Sequence, residues 1–331
     1  MLPVEVVKKT PDIPAKDETG KQIFNRREVA GRKKPHMKQS VMRVAVCDLP
    51  ENPAANQPVR FIPVTGGKGG TGKTNIAINL SLALAAAGHR TMLLDADLGM
   101  ANVDVLLGLD AHSTLLDVLN GDCQLDDIIL AGNDNLMVIP AASGLRQLAN
   151  VGINECAGLV QAFSSLKEPV DTLVIDTATG ISEAVTSFCS AATEILIVVC
   201  NEPASLRDSV AQIRMLSSEY GVSRFRILAN MVRTAAEGND VFRSIQDMIA
   251  DNHDIVCSYT GFIPFDERLR EAVSRHQAVV DAFPRSRSAM ALKNLAQRVA
   301  AWPRPDRAGG HLEFFVERLV QNENINVEVL S

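Results

Sequence analysis

From Phe61 onward, short apolar runs recur along the chain, and each stops at a polar or glycine-rich stretch. They are Phe61–Val64, Met92–Asp95, Leu136–Pro140, Leu173–Asp176, Ile195–Cys200, Phe225–Asn230 and Gly261–Pro264. Runs this short, mostly Val, Ile and Leu with little polar alternation, predict strands buried on both faces. The stretches between them carry helical spacing, beginning with Asn75 to Ala87. Strands separated by helices imply βαβ crossovers, hence a doubly wound α/β fold around a mostly parallel sheet. Ligands of such sheets lie beyond the carboxyl ends of the strands, so the chemistry is expected where the runs stop.

The ends of the chain depart from this pattern. Residues 1–58 show no sustained periodicity and are rich in Pro, Lys and Arg, which predicts a flexible basic arm. They hold 11 basic and 7 acidic residues, so a chain of net charge −6 carries its excess of acid, about −10, on the remainder. Residues 59–300 form the expected catalytic body, and 301–331 a linker followed by a helix. In that helix Leu312, Phe315, Val316 and Leu319 fall on one stripe, opposite Glu313, Glu317, Arg318 and Gln321. The stripe fits a reversible membrane contact or packing on the body. Two glutamates against one arginine on the polar face weigh against the first reading, whereas the rigid Trp302-Pro303-Arg304-Pro305 linker would let the helix detach.

Composition narrows the classes. A chain of 331 residues, 46% hydrophobic and 22% charged, can bury a full core. The six cysteines are scattered without a C-x-x-C pair, which predicts reduced thiols rather than disulfides, zinc or an iron–sulfur cluster. No run of 18 apolar residues and no signal-peptide core occur, so a cytoplasmic protein is expected. The acidic body argues against nucleic acid as a partner.

The chemistry centres on Gly66-Gly67-Lys68-Gly69-Gly70-Thr71-Gly72-Lys73-Thr74, between the first strand and the first helix. Gly67 to Thr74 satisfy G-x-x-x-x-G-K-[ST], the phosphate-binding loop, in the strand–loop–helix setting that motif requires. The backbone N–H groups of Gly67, Gly69, Gly70, Thr71 and Gly72 are expected to converge on phosphate oxygens, with the positive end of the helix behind them. Lys73 is expected to bridge the terminal phosphates of ATP, and the Thr74 hydroxyl to hold Mg²⁺. Lys68 is a second lysine in the same loop. Two cations so close repel unless both meet phosphate or one points outward. Two further runs end on aspartates, in Asp95-Ala96-Asp97 and Asp176-Thr177. A carboxylate at the end of a buried strand is costly unless its charge is used, as beside Mg²⁺ and a triphosphate.

Lys68-Gly69-Gly70-Thr71-Gly72-Lys73-Thr74 resembles the deviant phosphate loop of the MinD/ParA group of ATPases. The resemblance implies an ATP-dependent homodimer in which the first lysine, here Lys68, crosses to the partner's ATP. It implies slow hydrolysis used as a switch, with Lys68, Lys73 and Asp97 catalytic and Asp97 orienting the attacking water. Asp176 would hold Mg²⁺ through water, with Thr74 and Asp95 completing the metal set. Asn230 would read the adenine amino group, and the Pro264 loop, Gly261 to Asp266, would pack on the base. Within the group, Asp95 to Asp104, Pro140 to Gly144 and Gly310 to Val320 are most similar to flagellar number regulators of the FlhG/FleN type. Their partners would be a flagellar transcriptional activator and a basal-body switch protein, with the inner face of the membrane and the cell pole as further locations. The arm lacks the Asp-Gln-Ala-x-x-Leu-Arg segment by which some of these regulators stimulate a partner GTPase. Thr71 replaces the commoner Val. A DNA-partitioning ATPase or a metabolic enzyme on the same fold is the alternative.

Overall fold

The computed structural model describes residues 59–97, 103–109, 112–132, 135–140, 162–163, 166 and 168–303. The chain divides into two units, Met1–Pro50 and Glu51–Ser331, and every described residue belongs to the second. The basic arm, residues 141–144 and the amphipathic stretch at 312–319 lie outside the described residues.

Strand β1 (Arg60–Thr65) leads through the glycine-rich loop into helix α1 (Lys73–Ala86). Strand β2 (Thr91–Ala96), the short helices α2 (Val103–Leu107), α3 (Leu115–Asn120) and α4 (Leu125–Ile128), and strands β3 (Leu130–Ala131), β4 (Leu136–Ile139) and β5 (Thr172–Thr177) follow. Then come α5 (Glu183–Ala191), β6 (Leu196–Cys200), α6 (Pro203–Tyr220), β7 (Arg224–Val232), α7 (Ala235–Ile249) and β8 (Val256–Pro264). Helices α8 (Glu267–Ser274), α9 (Val279–Ala282) and α10 (Arg287–Ala300) complete the described chain.

Among the described residues the sheet has eight strands in the order β3-β4-β2-β5-β1-β6-β7-β8. All neighbours are parallel except β3 and β4. The doubly wound α/β reading therefore holds, with one strand more than the seven expected. Strand β3 has two residues and pairs antiparallel with β4, too short to leave a hydrophobic signature of its own. Helix α1 begins two residues before Asn75, because Gly72 takes a left-handed φ of 88° and lets the loop turn directly into the helix.

Both faces of the sheet are covered, as the near-continuous apolar runs require. Ile62 and Val64 of β1 pack with Ile76, Leu80 and Leu84 of α1 and with Leu292 and Val299 of α10. Phe61 faces the opposite side with Leu94, Ile175 and Phe188. Beside that layer, α6 and α7 lay Ile213, Leu216, Val241 and Ile245 over β6 and β7. Helix α1, the first among those described, thus lies against α10, the last.

Polar contacts fasten the strand ends away from the glycine-rich loop. The buried Arg60 donates from Nη2 to the carbonyls of Ala300 and Trp302 at 3.2 and 3.3 Å. Arg226 forms a two-pronged pair with Glu194, at 2.8 and 3.0 Å, and stacks over Trp302 with its guanidinium carbon 4.9 Å from the ring centre. That geometry gives an arginine both charge and planar contact.

Asp266 joins two helices. Its Oδ1 accepts from the Arg268 N–H at 2.9 Å, capping α8, while Oδ2 accepts from the N–H and hydroxyl of Ser288 at 2.9 and 2.8 Å. Partial burial pushes its carboxyl up, but the backbone donors of Ser288 and Arg268 outweigh that and hold it below the usual range. With the folded pKa below an unfolded value of about 3.9, the stability it supplies is complete above that value and lost as pH falls through the folded one. Asp266→Ala is expected to cost about 1–2 kcal/mol in urea unfolding at neutral pH. The gap to the unaltered protein should narrow below about pH 4.

Candidate nucleotide site

Strand β5 lies between β1 and β2, and its register sets the site. Asp176 pairs with Val64 of β1 on one side and with Asp95 of β2 on the other. The loop after β1 therefore stands beside two strand-end carboxylates, at the carboxyl edge of the sheet where a doubly wound fold binds its ligand.

Close packing explains the glycines. A Cβ at Gly67 would collide with the carbonyl group of Asp208 and lie 2.6 Å from the Ser209 nitrogen, both in α6. At Gly66 it would come within 2.7 Å of the Val198 carbonyl, and at Gly72 within 2.6 Å of Asn230 Nδ2. Gly70 and Gly72 also take positive φ, 76° and 88°, which other residues adopt at a cost. Gly69 differs, since a Cβ there would meet only the Thr179 methyl at 3.9 Å. Thr71 is buried and its carbonyl accepts from Asn230 Nδ2 at 2.7 Å.

The two lysines occupy unlike surroundings. Lys73, the first residue of α1, is 7% exposed. Burial lowers its pKa, opposed by the charges of Asp176 and Asp97. The Lys68 side chain is 38% exposed at the rim, ion-paired with Glu202 just before α6. That hydrogen bond and the charge of Glu202 raise its pKa.

The acids differ as well. Burial pushes Asp176 up to about 7, aided by the charge of Asp95 and opposed by a hydrogen bond with Thr74 and the charge of Lys73. Its Oδ1 is buried without a hydrogen-bond partner. Asp95 is fully buried, and its oxygens accept from the N–H groups of Asp97 at 3.1 Å and Val103 at 3.3 Å. It thus links Asp97 to Val103, the first residue of α2. Asp97 stands close enough for its charge to act on Lys73 and Asp176.

Known proteins are similar to this chain in sequence and in fold. A profile of the ParA family, described as NUBPL iron-transfer P-loop NTPase, matches residues 58–300. Antiactivator FleN of Pseudomonas aeruginosa is 51% identical over 265 residues, covering 80% of this chain and 95% of that protein. The flagellum site-determining protein YlxH of Helicobacter pylori is 28% identical, covering 72% and 80%. Among solved structures, the septum site-determining protein MinD of Pyrococcus horikoshii, in complex with Mg-ADP, superposes with a TM-score of 0.58 at 28% identity. That match covers 73% of this chain and 96% of the MinD chain.

The chain belongs to the ParA/MinD family of P-loop NTPases. It is an ATPase of that family, and the residues present fit Mg²⁺ with a nucleotide. The orphaned Oδ1 of Asp176, beside the Thr74 hydroxyl, is a hard oxygen pair of the kind Mg²⁺ takes together with phosphate and water. A carboxyl pushed to about 7 by burial is driven back to its ionised form by a cation at that position.

Most of the expected residues converge here: the loop from Gly67 to Thr74, Asp95, Asp97 and Asp176. Asn230 reaches the site too, but its amide nitrogen lies on the Thr71 carbonyl and its oxygen accepts from the Met231 N–H at 2.9 Å. Pro264 ends β8 and pairs in register with Val232 of β7, beside the exposed Phe265. Two residues escaped sequence reasoning, Glu202 and Gln212 of α6. Glu202 had a faint signal, an acid between a strand end and a helix-opening proline. Ser205, Ser209 and Gln212, at i, i+4 and i+7, form a polar stripe on α6, yet all three are fully buried.

Gly67→Ala is expected to weaken ADP binding by more than about tenfold, roughly 1.4 kcal/mol, because loop and α6 must part. Gly69→Ala should stay within about threefold of the unaltered protein. Titration with a fluorescent ADP analogue compares the two.

Proposed function

We propose that this ATPase is a dimerising switch that sets the number and placement of flagella. The contrast between its two lysines carries the reading. Lys73 is buried in its own crevice, whereas Lys68 stands exposed at the rim on a carboxylate that a partner's phosphate could replace. The 51% identity to a protein named as an antiactivator supports a flagellar transcriptional activator as one partner; a basal-body switch protein is proposed as the second from resemblance to the flagellar number regulators.

In this reading ATP binds along the loop, with Lys73 on the terminal phosphates and Thr74 and Asp176 holding Mg²⁺. Bound Mg²⁺ supplies charge neutralisation across the phosphates. Lys68 leaves Glu202 and reaches the second subunit's ATP, so two copies close on two nucleotides. Asp97 orients the water for in-line attack, while Asp95 holds the backbone N–H of Asp97. Such catalysis is positioning plus cations around the transferred phosphoryl group. Asn230 and the Pro264 loop border the base, the Asn230 amide passing from the Thr71 carbonyl to adenine. Hydrolysis releases the pair, and the partner surface goes with it. The segment at 312–319 provides a reversible membrane contact through the apolar stripe Leu312, Phe315, Val316 and Leu319.

Three variants test the switch. Lys73→Ala should abolish nucleotide binding, and Asp97→Ala should bind ATP and accumulate as a dimer. Lys68→Ala should keep its ADP affinity within about twofold while losing ATP-dependent dimerisation and turnover. Light scattering on size-exclusion fractions with ATP distinguishes them. Identical profiles for Lys73→Ala and Asp97→Ala would remove the role given to Asp97, and loss of ADP binding in Lys68→Ala would put that lysine in its own site.

The membrane contact has its own test. Phe315→Glu should abolish pelleting with anionic liposomes in ATP and shift the melting temperature by less than about 2 °C. A stable variant that still pellets would end the anchor reading.

A further inference from the structure

Helix α6 lies behind the phosphate loop and carries Gln212 on the face that meets it. It is fully buried, and its Nε2 donates to the Thr65 hydroxyl at 2.9 Å and to the Gly180 carbonyl at 2.8 Å. A carbonyl can only accept, so the amide must present its nitrogen to this pair. The Gly180 N–H in turn donates to the Gly66 carbonyl at 3.3 Å. Both backbone groups of Gly180, in left-handed conformation at φ 89°, are therefore held, one by the phosphate loop and one by α6.

The other end of the amide has no such use. Gln212 Oε1 is buried without a partner, as is Ser209 Oγ one turn earlier. A buried acceptor left unmade lowers stability, and leucine of similar volume would avoid the cost. Packing alone therefore disfavours glutamine, and what it adds is the pair of amide hydrogens. Gly180 lies four residues beyond Asp176 on the loop leaving β5, so the Gln212 bond fixes that loop against the end of β1.

We infer that Gln212 is a positioning residue for hydrolysis: it ties the loop after Asp176 to the base of the phosphate loop, so that Asp176 and the reacting phosphate keep their relative places. The inference rests on the ATPase reading above and concerns the chemical step rather than nucleotide affinity. Thr65 acts in the same bond, as the acceptor that fixes the second amide hydrogen.

The test uses the full chain. Gln212→Leu is expected to lower kcat about tenfold, with KM for ATP and ADP affinity within about twofold. Its melting temperature should fall by no more than a few degrees, because removal of the orphaned oxygen partly offsets the loss of the two hydrogen bonds to Thr65 and Gly180. Gln212→Met, which keeps length without the amide, should behave alike and serves if the leucine variant fails to fold. Thr65→Val should share part of the effect, and the double variant with Gln212→Leu should fall short of the sum. Amide hydrogen exchange with Mg-ADP should quicken about tenfold across residues 178–182 and not in α7. Unchanged kcat and exchange in both Gln212 variants, or a loss of kcat that follows KM or melting temperature, would overturn the inference. An unaltered protein that binds ATP without turning it over would instead refute the hydrolytic switch, and exchange at 178–182 would still decide for or against Gln212.

Discussion

The placement of β5 between β1 and β2 governs this molecule. Parallel strands pair in a fixed register, and that register sets Asp95 beside Asp176 and Asp176 beside Val64, next to the end of β1. Two carboxylates so close in a buried sheet edge repel, and each loses its water. The structure answers the two differently. Asp95 receives backbone N–H groups that tether the next segment, whereas Asp176 keeps an oxygen bare beside Thr74. One acid is spent on holding the chain in shape, and the other is left able to take a cation.

Packing behind the loop supplies the second requirement. A loop that presents its N–H groups to an anion must be held from the rear without side chains of its own, and α6 comes close enough that only glycine fits at Gly67. Small residues on that helix face, Ser205 and Ser209, permit the approach. Lys68, Gly67 and Gly180 all touch α6 or the turn that leads into it, so a shift of this one helix would be felt at the rim, the loop and the strand end together.

The sequence was most legible where hydrophobicity is uniform. Buried parallel strands such as Leu173–Asp176 leave an unbroken apolar run, and their polar last residues point to the site. Strand β3 was invisible, because two residues on an edge carry no periodicity. The phosphate loop could be read because its spacing answers to one ligand. Glu202 and Gln212 could not, since each acts through a partner more than a hundred residues away. A polar stripe at helical spacing normally faces water, and nothing local distinguishes one that meets a backbone instead. Asn230 shows the converse difficulty. A strand-end amide stands beside the phosphate loop, yet its partner in the structure is the loop carbonyl of Thr71 rather than a base.

Arg60 opens the central region of the sheet and closes on the carbonyls of Ala300 and Trp302, some 240 residues later. Around that bond, α1 packs against α10. Contacts of such separation give the domain a high contact order, and closing them carries a loop-entropy cost that is met only late in folding. During synthesis the phosphate loop and its helix emerge long before the helix that covers them. Until α10 leaves the ribosome, the apolar flank of α1 has no partner, and a chain stopped short of Trp302 would expose it to aggregation. The flank of α1 that meets α10 is thus among the last of the described core to be covered as the chain is made.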